Sequence, residues 1–192
     1  MARILGIAGS PHKNGNTSYA VRYALDAVKE NNETRYISLS SMKINPCVGC
    51  FKCSETGKCV FNDDMNDIYS ALKWCDAVVI GSPVYMGLVS GQIKTMMDRC
   101  VLFRSGYDKP LELEGKVGCG IACGNFRNGG QETTLQNIHT FLLQQNIKVV
   151  NDGFPYSHAG AAIVGKAEDD KTGLETVYNS MRNILKALNQ VF

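Results

Sequence analysis

Four short apolar runs, each closing in small or turn-forming residues, constrain the fold of this chain most: Arg3 to Ala8, Ala77 to Ile80, Val117 to Ala122 and Lys148 to Val150. Runs without polar alternation suit strands buried on both faces of a parallel sheet. A weaker alternating run, Thr34 to Leu39, supplies the second strand in chain order. Between the strands lie helical periodicities over Thr17 to Asn31, Met65 to Trp74, Gly91 to Cys100, Gln131 to Gln145 and Leu174 to Leu188. This alternation predicts an α/β fold with right-handed crossovers, a doubly wound sheet and helices on both faces. Ligands of such sheets bind outside the carboxyl ends of the strands, where the strand order reverses.

At 192 residues the chain is expected to form a single domain, 1–192, that buries a sizeable core without disulfide or metal staples. Its net charge of +2 is spread over scattered Lys and Arg with no basic stripe, so no nucleic-acid partner is expected and small ligands are favoured. The apolar stretch at the N-terminus is too short for a signal peptide or a membrane span, and no later window is long enough to span. A cytoplasmic protein with no membrane partner is expected, in which eight cysteines stay reduced or bind metal.

Four of those cysteines, Cys47, Cys50, Cys53 and Cys59, form the compact run C-x2-C-x2-C-x5-C in the long segment between the second and third strands. The run places a cysteine-rich loop, 45–63, as an insertion on the binding edge. Three thiols at steps of three residues with a fourth soon after match the ligand logic of a four-cysteine iron-sulfur cluster. Structural zinc usually gathers two separated pairs, a disulfide needs an oxidising compartment, and a thiol switch needs only two of the four. Zinc and metal-free thiols stay open as alternatives. Cys75, Cys100, Cys119 and Cys123 lack ligand spacing and read as small buried residues, with Cys123 placed where a thiol could touch a ligand. Asp63 and Asp64 read as an N-cap and a first-turn charge of the following helix. Met96 and Met97 read as core filler.

Three loops carry the binding chemistry. After the first strand, Gly9 to Ser18 is dense in hydroxyls and amides and opens into a helix, the arrangement of a phosphate cradle in which Ser10, Asn16, Thr17 and Ser18 add side-chain donors. The bland alternative is an ordinary loop capped by Asn16 or Thr17. It is neither a Walker A loop nor a dinucleotide fingerprint. After the third strand, Pro83 fixes a backbone angle, Tyr85 offers a planar face and Gly87 permits close backbone approach, which suits a flat ring. After the fourth, the glycine-rich turn from Cys123 to Glu132 offers Asn125 and backbone amides to polar ring atoms. A phosphate site followed by a flat polar heterocycle has the shape of FMN.

These three loops, Ser10 to Ser18, Ser82 to Gly87 and Gly124 to Glu132, in that order on alternating strands and helices, resemble the NADPH-dependent FMN reductase branch of the flavodoxin-like superfamily. The four compact cysteines followed by Asp63-Asp64-Met65 resemble its iron-sulfur flavoprotein subgroup. The resemblance implies a three-layer, flavodoxin-like fold with a five-stranded parallel sheet of order 2-1-3-4-5. It implies that Ser10, His12, Asn16, Thr17 and Ser18 hold the FMN phosphate. Pro83, Val84, Tyr85, Met86 and Gly87 would line the isoalloxazine, with Gly124, Asn125, Gly129 and Gly130 facing its polar edge. It further implies a [4Fe-4S] cluster on the four compact cysteines, next to the flavin, in a homodimer or homotetramer.

The mechanism so implied is redox chemistry, with no side chain required as a general acid or base. The leading expectation is electron transfer between the [4Fe-4S] cluster and FMN with a ferredoxin-like electron carrier. The alternative is an NAD(P)H-dependent reductase of free flavin, quinones or another small-molecule oxidant, with the cysteine loop metal-free or structural. A non-enzymatic FMN-binding or zinc-stabilised interaction protein is the third class. His12 reads as a phosphate neighbour and His139 as a surface or half-buried helix residue.

Overall fold

The computed structural model describes residues 1–104 and 111–189. Its elements in chain order are β1 (Arg3–Ala8), α1 (Asn16–Asp26), β2 (Glu33–Ser38), α2 (Lys52–Thr56), α3 (Met65–Trp74), β3 (Ala77–Pro83), α4 (Gly91–Arg99), β4 (Val117–Gly124), α5 (Gln131–Gln144), β5 (Lys148–Val149), β6 (Ala161–Val164) and α6 (Lys171–Ala187). The strands pair in parallel in the order β2-β1-β3-β4-β5, as predicted, and β6 adds a sixth strand alongside β4. It was not foreseen from the sequence. β5 pairs with Val117 and Gly118 and β6 with Ile121 to Gly124, so the two follow one another along the same edge. Residues 151–160 leave the sheet between them.

The sheet buries apolar side chains on both faces. Ile4, Ala8, Val79, Cys119 and Ile121 pack under α1 and α6, while Leu5, Ile7, Val78 and Ile80 pack under α3, α4 and α5. On the second face β4 presents glycines, and α5 settles directly on them. A Cβ on Gly118 would stand 3.0 Å from Leu142, and one on Gly120 would stand 3.1 Å from Leu135. Cys75, Cys100, Cys119 and Cys123 are all buried, in keeping with their expected role as small core residues.

Two helix boundaries differ from the periodicity for local reasons, and one short helix is added. α1 stops at Asp26, short of Asn31, because the Asn32 amide donates to Val28 O at 2.9 Å and accepts from Ala2 N at 2.9 Å, turning the chain back toward β1. α6 starts earlier than Leu174, because Asp170 caps it by accepting from Gly173 N at 3.0 Å. The same carboxylate accepts from Val164 N at 2.8 Å, tying the helix to the end of β6. The short α2 inside the cysteine segment carries no apolar period, so nothing in the pattern announces it.

Replacing Gly120 by Val forces a branched side chain against Leu135 and Ile138. Overpacking of this kind costs about 1–3 kcal/mol. It is read as a lower urea midpoint with an unchanged denaturant slope.

Candidate functional site

The carboxyl ends of β1, β3 and β4 lie side by side, and backbone bonds lock their loops together. Gly9 N donates to Gly81 O at 2.8 Å, and Val84 N donates to Cys123 O at 2.9 Å. Ser90, fully buried, donates from Oγ to Gly9 O at 2.6 Å and accepts from Ile93 N at 3.3 Å, so one hydroxyl caps α4 and holds the first loop. The second loop is a tight turn in which Tyr85 and Leu88 exchange two backbone bonds of 3.0 Å across Met86 and Gly87, both at positive φ. Thr133 Oγ1 donates to Gly87 O at 2.5 Å. At Gly130, with φ +104°, a Cβ would stand 2.6 Å from Gly87 Cα, so only glycine lets the second and third loops touch. Buried Gln131 folds the third loop on itself, accepting from Gly129 N at 2.9 Å and donating to Phe126 O at 2.6 Å.

The start of α1 is the chemically open part of this edge. Its N-cap is Gly15, which has no side chain to offer, so neither Asn16 nor Thr17 caps it, and its first turn carries no acidic residue. α4 and α6, in contrast, are capped by Ser90 and Asp170. The first-turn N–H groups of α1 therefore face the edge with the positive end of the helix dipole behind them. Ser18, only 2% exposed, holds a hydroxyl with no hydrogen-bond partner among the described residues. Ser10 Oγ accepts from His12 N at 3.1 Å, and His12 itself is exposed. One predicted donor is committed elsewhere by its side chain: Asn16 donates to Gly165 O at 2.8 Å and accepts from Ala167 N at 3.0 Å. Pro83 and Val84 are half-buried, Tyr85 and Met86 are exposed, and so are Asn125 and Gly129 of the third loop, while Gly124 is half-buried.

The cysteine segment leaves the fold through a narrow neck. Lys43 N donates to Asp64 at 2.6 Å, and Asn45 donates to Asp63 Oδ2 from its backbone N at 2.9 Å and its side chain at 3.1 Å. Arg99, at the end of α4, closes the neck: its Nη1 donates to Asn45 O at 2.7 Å and to Asp63 Oδ2 at 2.9 Å, and its Nη2 to Asp63 Oδ1 at 3.2 Å. This corrects the reading of the two aspartates. Asp64 occupies the cap position without a capping bond, while Asp63 accepts from Met65 N at 3.3 Å but spends most of its carboxylate on Arg99 and Asn45. Burial alone would raise the Asp63 carboxyl, but the Arg99 and Asn45 bonds outweigh it and hold the group well below the usual carboxylate range.

Beyond the neck, Cys47 and Cys50 are exposed, Cys53 and Cys59 are half-buried, and none is in a disulfide. Gly49, Phe51 and Gly57 take positive φ, which bends the short segment sharply around α2. All four thiols line one cavity of about 750 Å³, closed by Phe61, Tyr69, Arg99 and the facing side of α5. Among the described residues, no group of three or more Cys, His, Asp or Glu side chains is arranged to hold a metal ion. The remaining thiols differ in kind: burial pushes Cys75 up to about 11 and Cys119 and Cys123 up to about 12, so they stay protonated. His139 is half-buried, as expected, and burial lowers its pKa.

Sequence reasoning missed the parts that join these pieces: Ser90, Thr133, Gln131 and Arg99. Only Arg99 left a trace, as a cation amid the apolar periodicity of α4, where a charge must find a partner.

Comparison with known proteins follows the same lines. The profile of the NADPH-dependent FMN reductase family matches residues 2–162. An iron-sulfur flavoprotein of Methanocaldococcus jannaschii is 43% identical over 194 aligned residues, covering 98% of each chain. One of Methanosarcina thermophila is 36% identical over 98% of this chain and 96% of its own. Among solved structures, an NADH:FMN oxidoreductase in its apo form superposes with a TM-score of 0.71 at 18% identity, covering all of this chain and 91% of that one. An archaeal flavodoxin superposes at 0.62 and 15% identity, over 99% of this chain and 100% of its own. At that identity these two speak for the fold alone.

The Asp63 carboxylate generates a pH dependence. Its folded pKa is depressed, so its contribution to stability is complete at neutral pH and is lost as the pH falls from about 4, the ordinary Asp value, toward the folded one. Asp63→Ala, which strands Arg99, lowers stability at neutral pH by about 3–5 kcal/mol. Thermal melts of this variant against pH show a shallower acid limb than the parent.

Proposed function

Because the chain belongs to the NADPH-dependent FMN reductase family and to its iron-sulfur flavoprotein subgroup, it is an FMN-dependent oxidoreductase, and we propose that its compact cysteines carry a [4Fe-4S] cluster that trades electrons with the flavin. When bound, FMN accepts a hydride or two single electrons and a cluster of this type exchanges one at a time. The observation that carries the FMN reading is the uncapped start of α1 beside the buried, partnerless hydroxyl of Ser18.

In this reading the phosphate sits against the backbone N–H groups of Asn16, Thr17 and Ser18 and against the Ser18 hydroxyl, with Ser10 and His12 at the rim. Asn16 contributes through its backbone, since its side chain holds the neighbouring loop. Pro83 to Gly87 flank the ring, and the third loop, from Gly124 and Asn125 to Gly129 and Gly130, faces its polar edge. Met86, 99% exposed, and Tyr85 are placed to shield a ring face or to meet a second copy of the chain. Val48, Phe51 and Val60 of the cysteine segment are exposed as well, which favours a homodimer or homotetramer that covers them.

The four thiols supply the soft donor set a cluster requires, on one cavity wall. Cys47, Cys50, Cys53 and Cys59 would hold the cluster as thiolate ligands. The cavity touches the ring-binding edge through Val89, the residue between Leu88 and the Ser90 cap. The donor and acceptor divide two readings. The cysteines favour a ferredoxin-like carrier, whereas the family match favours NAD(P)H as donor to FMN, with a small-molecule oxidant as acceptor.

Ser18→Ala weakens FMN binding by about 1–3 kcal/mol, the value of a desolvated donor. Fluorescence titration of the apoprotein measures it, and unchanged affinity would move the phosphate elsewhere. Protein purified without air contains iron and acid-labile sulfide, and Cys50→Ser removes both while FMN stays bound; an iron content equal to the parent's would sink the ligand assignment. Anaerobic bleaching by NADPH and by reduced ferredoxin, in separate cuvettes, separates the two donors.

A further inference from the structure

Arg99 has one donor that the neck does not use. Its Nη1 and Nη2 are spent on Asn45 and Asp63, yet Nε, on a side chain only 1% exposed, has no hydrogen-bond partner among the described residues. A buried N–H on a cation is costly to leave without an acceptor, so a group missing from the protein chain is the natural partner. The guanidinium lies 5.0 Å from the Phe61 ring centroid and lines the cavity that also holds Cys47, Cys50, Cys53 and Cys59. Tyr69, which lines the same cavity, donates its hydroxyl to Arg99 O at 3.0 Å.

We propose that Arg99 is the positioning residue of the cysteine site: two of its arms hold the neck shut, and its Nε–H donates a charge-assisted hydrogen bond to a sulfur of that site in the loaded protein. This rests on the reading that the four thiols hold a cluster. A donor to a ligand sulfur favours the more negative, reduced state, so Arg99 raises the cluster potential. Lysine keeps the charge but not the fork, and as a point charge it cannot close the neck and reach the sulfur together.

The test compares the parent protein with Arg99→Lys and with a double variant, Arg99→Met with Asp63→Asn, which leaves no buried charge unpaired. Iron and FMN are counted for each under anaerobic conditions, and potentials are read by an EPR-monitored redox titration. The expected result is a more negative cluster potential in Arg99→Lys although the positive charge is kept, with the flavin potential unmoved. Loss of iron from either variant while FMN stays stoichiometric supports the hold on the neck. Normal iron with a parental potential in both variants would overturn the assignment. So would joint loss of FMN and iron from both, since the role is local to the cysteine site. Absence of iron from the parent protein itself would instead overturn the cluster reading, and the role of Arg99 with it.

Discussion

The buried pair of Arg99 and Asp63 is the contact on which the binding half of the molecule hangs. Two charges taken out of water gain net stability only when their remaining hydrogen-bonding capacity is met. Here Asp63 also accepts from Asn45 and Met65, and one Arg99 arm is shared with Asn45 O. The pair is therefore embedded in backbone, and it fixes where a segment with almost no core of its own enters and leaves the fold. Met42 and Ile44 at the entry to the neck pack against the core, as do Cys53 and Cys59 beyond it, and Phe61, ahead of Asp63, lies against the Arg99 guanidinium.

The same helix that carries Arg99 also reaches the other half of the site. Ser90 at the start of α4 holds Gly9 and thereby the loop after β1, while Arg99 at its end holds the cysteine neck. A helix rises about 1.5 Å per residue, so α4 acts as a strut that sets the offset between the two. Ser82 fastens its near end further, accepting from Ser90 N at 2.9 Å. The arrangement explains why the loops around the edge need so little regular structure: each is tied by a side chain that starts a helix or ends one.

Much of the fold was legible because burial on two faces leaves long apolar runs, and β1, β3, β4 and α3 were found where those runs or periods stand. What escaped was set by side chains that act across the chain. Asn32 ends α1 by binding β1, and Asp170 starts α6 by binding β6; neither effect has a local pattern. β6 is made of Ala161 to Val164 after a long excursion, too brief a run to claim as a strand. The four cysteines without ligand spacing are buried in the core, as their reading as small core residues expected. In the loop after β1 the Asn16 side chain was read as a ligand donor but ties Gly165 and Ala167: an amide looks the same in sequence whether it faces a ligand or a neighbouring loop. Asp63 was misjudged because its partner lies on another helix.

The two-part edge of the sheet has a consequence for how these molecules meet one another. An outer strand with an unbroken row of free N–H and C=O groups is a template on which another chain can add. Here β5 ends after Lys148–Val149, residues 151–160 swing away, and β6 resumes only at Ala161. Gly160 lies so close to Gly120 that a Cβ would stand 3.1 Å from its carbonyl oxygen, so the excursion is seated against the gap in the ladder. With that edge cut into two short lengths, strand addition from a neighbour is discouraged on that side, and the sheet does not offer there a continuous template for open-ended stacking.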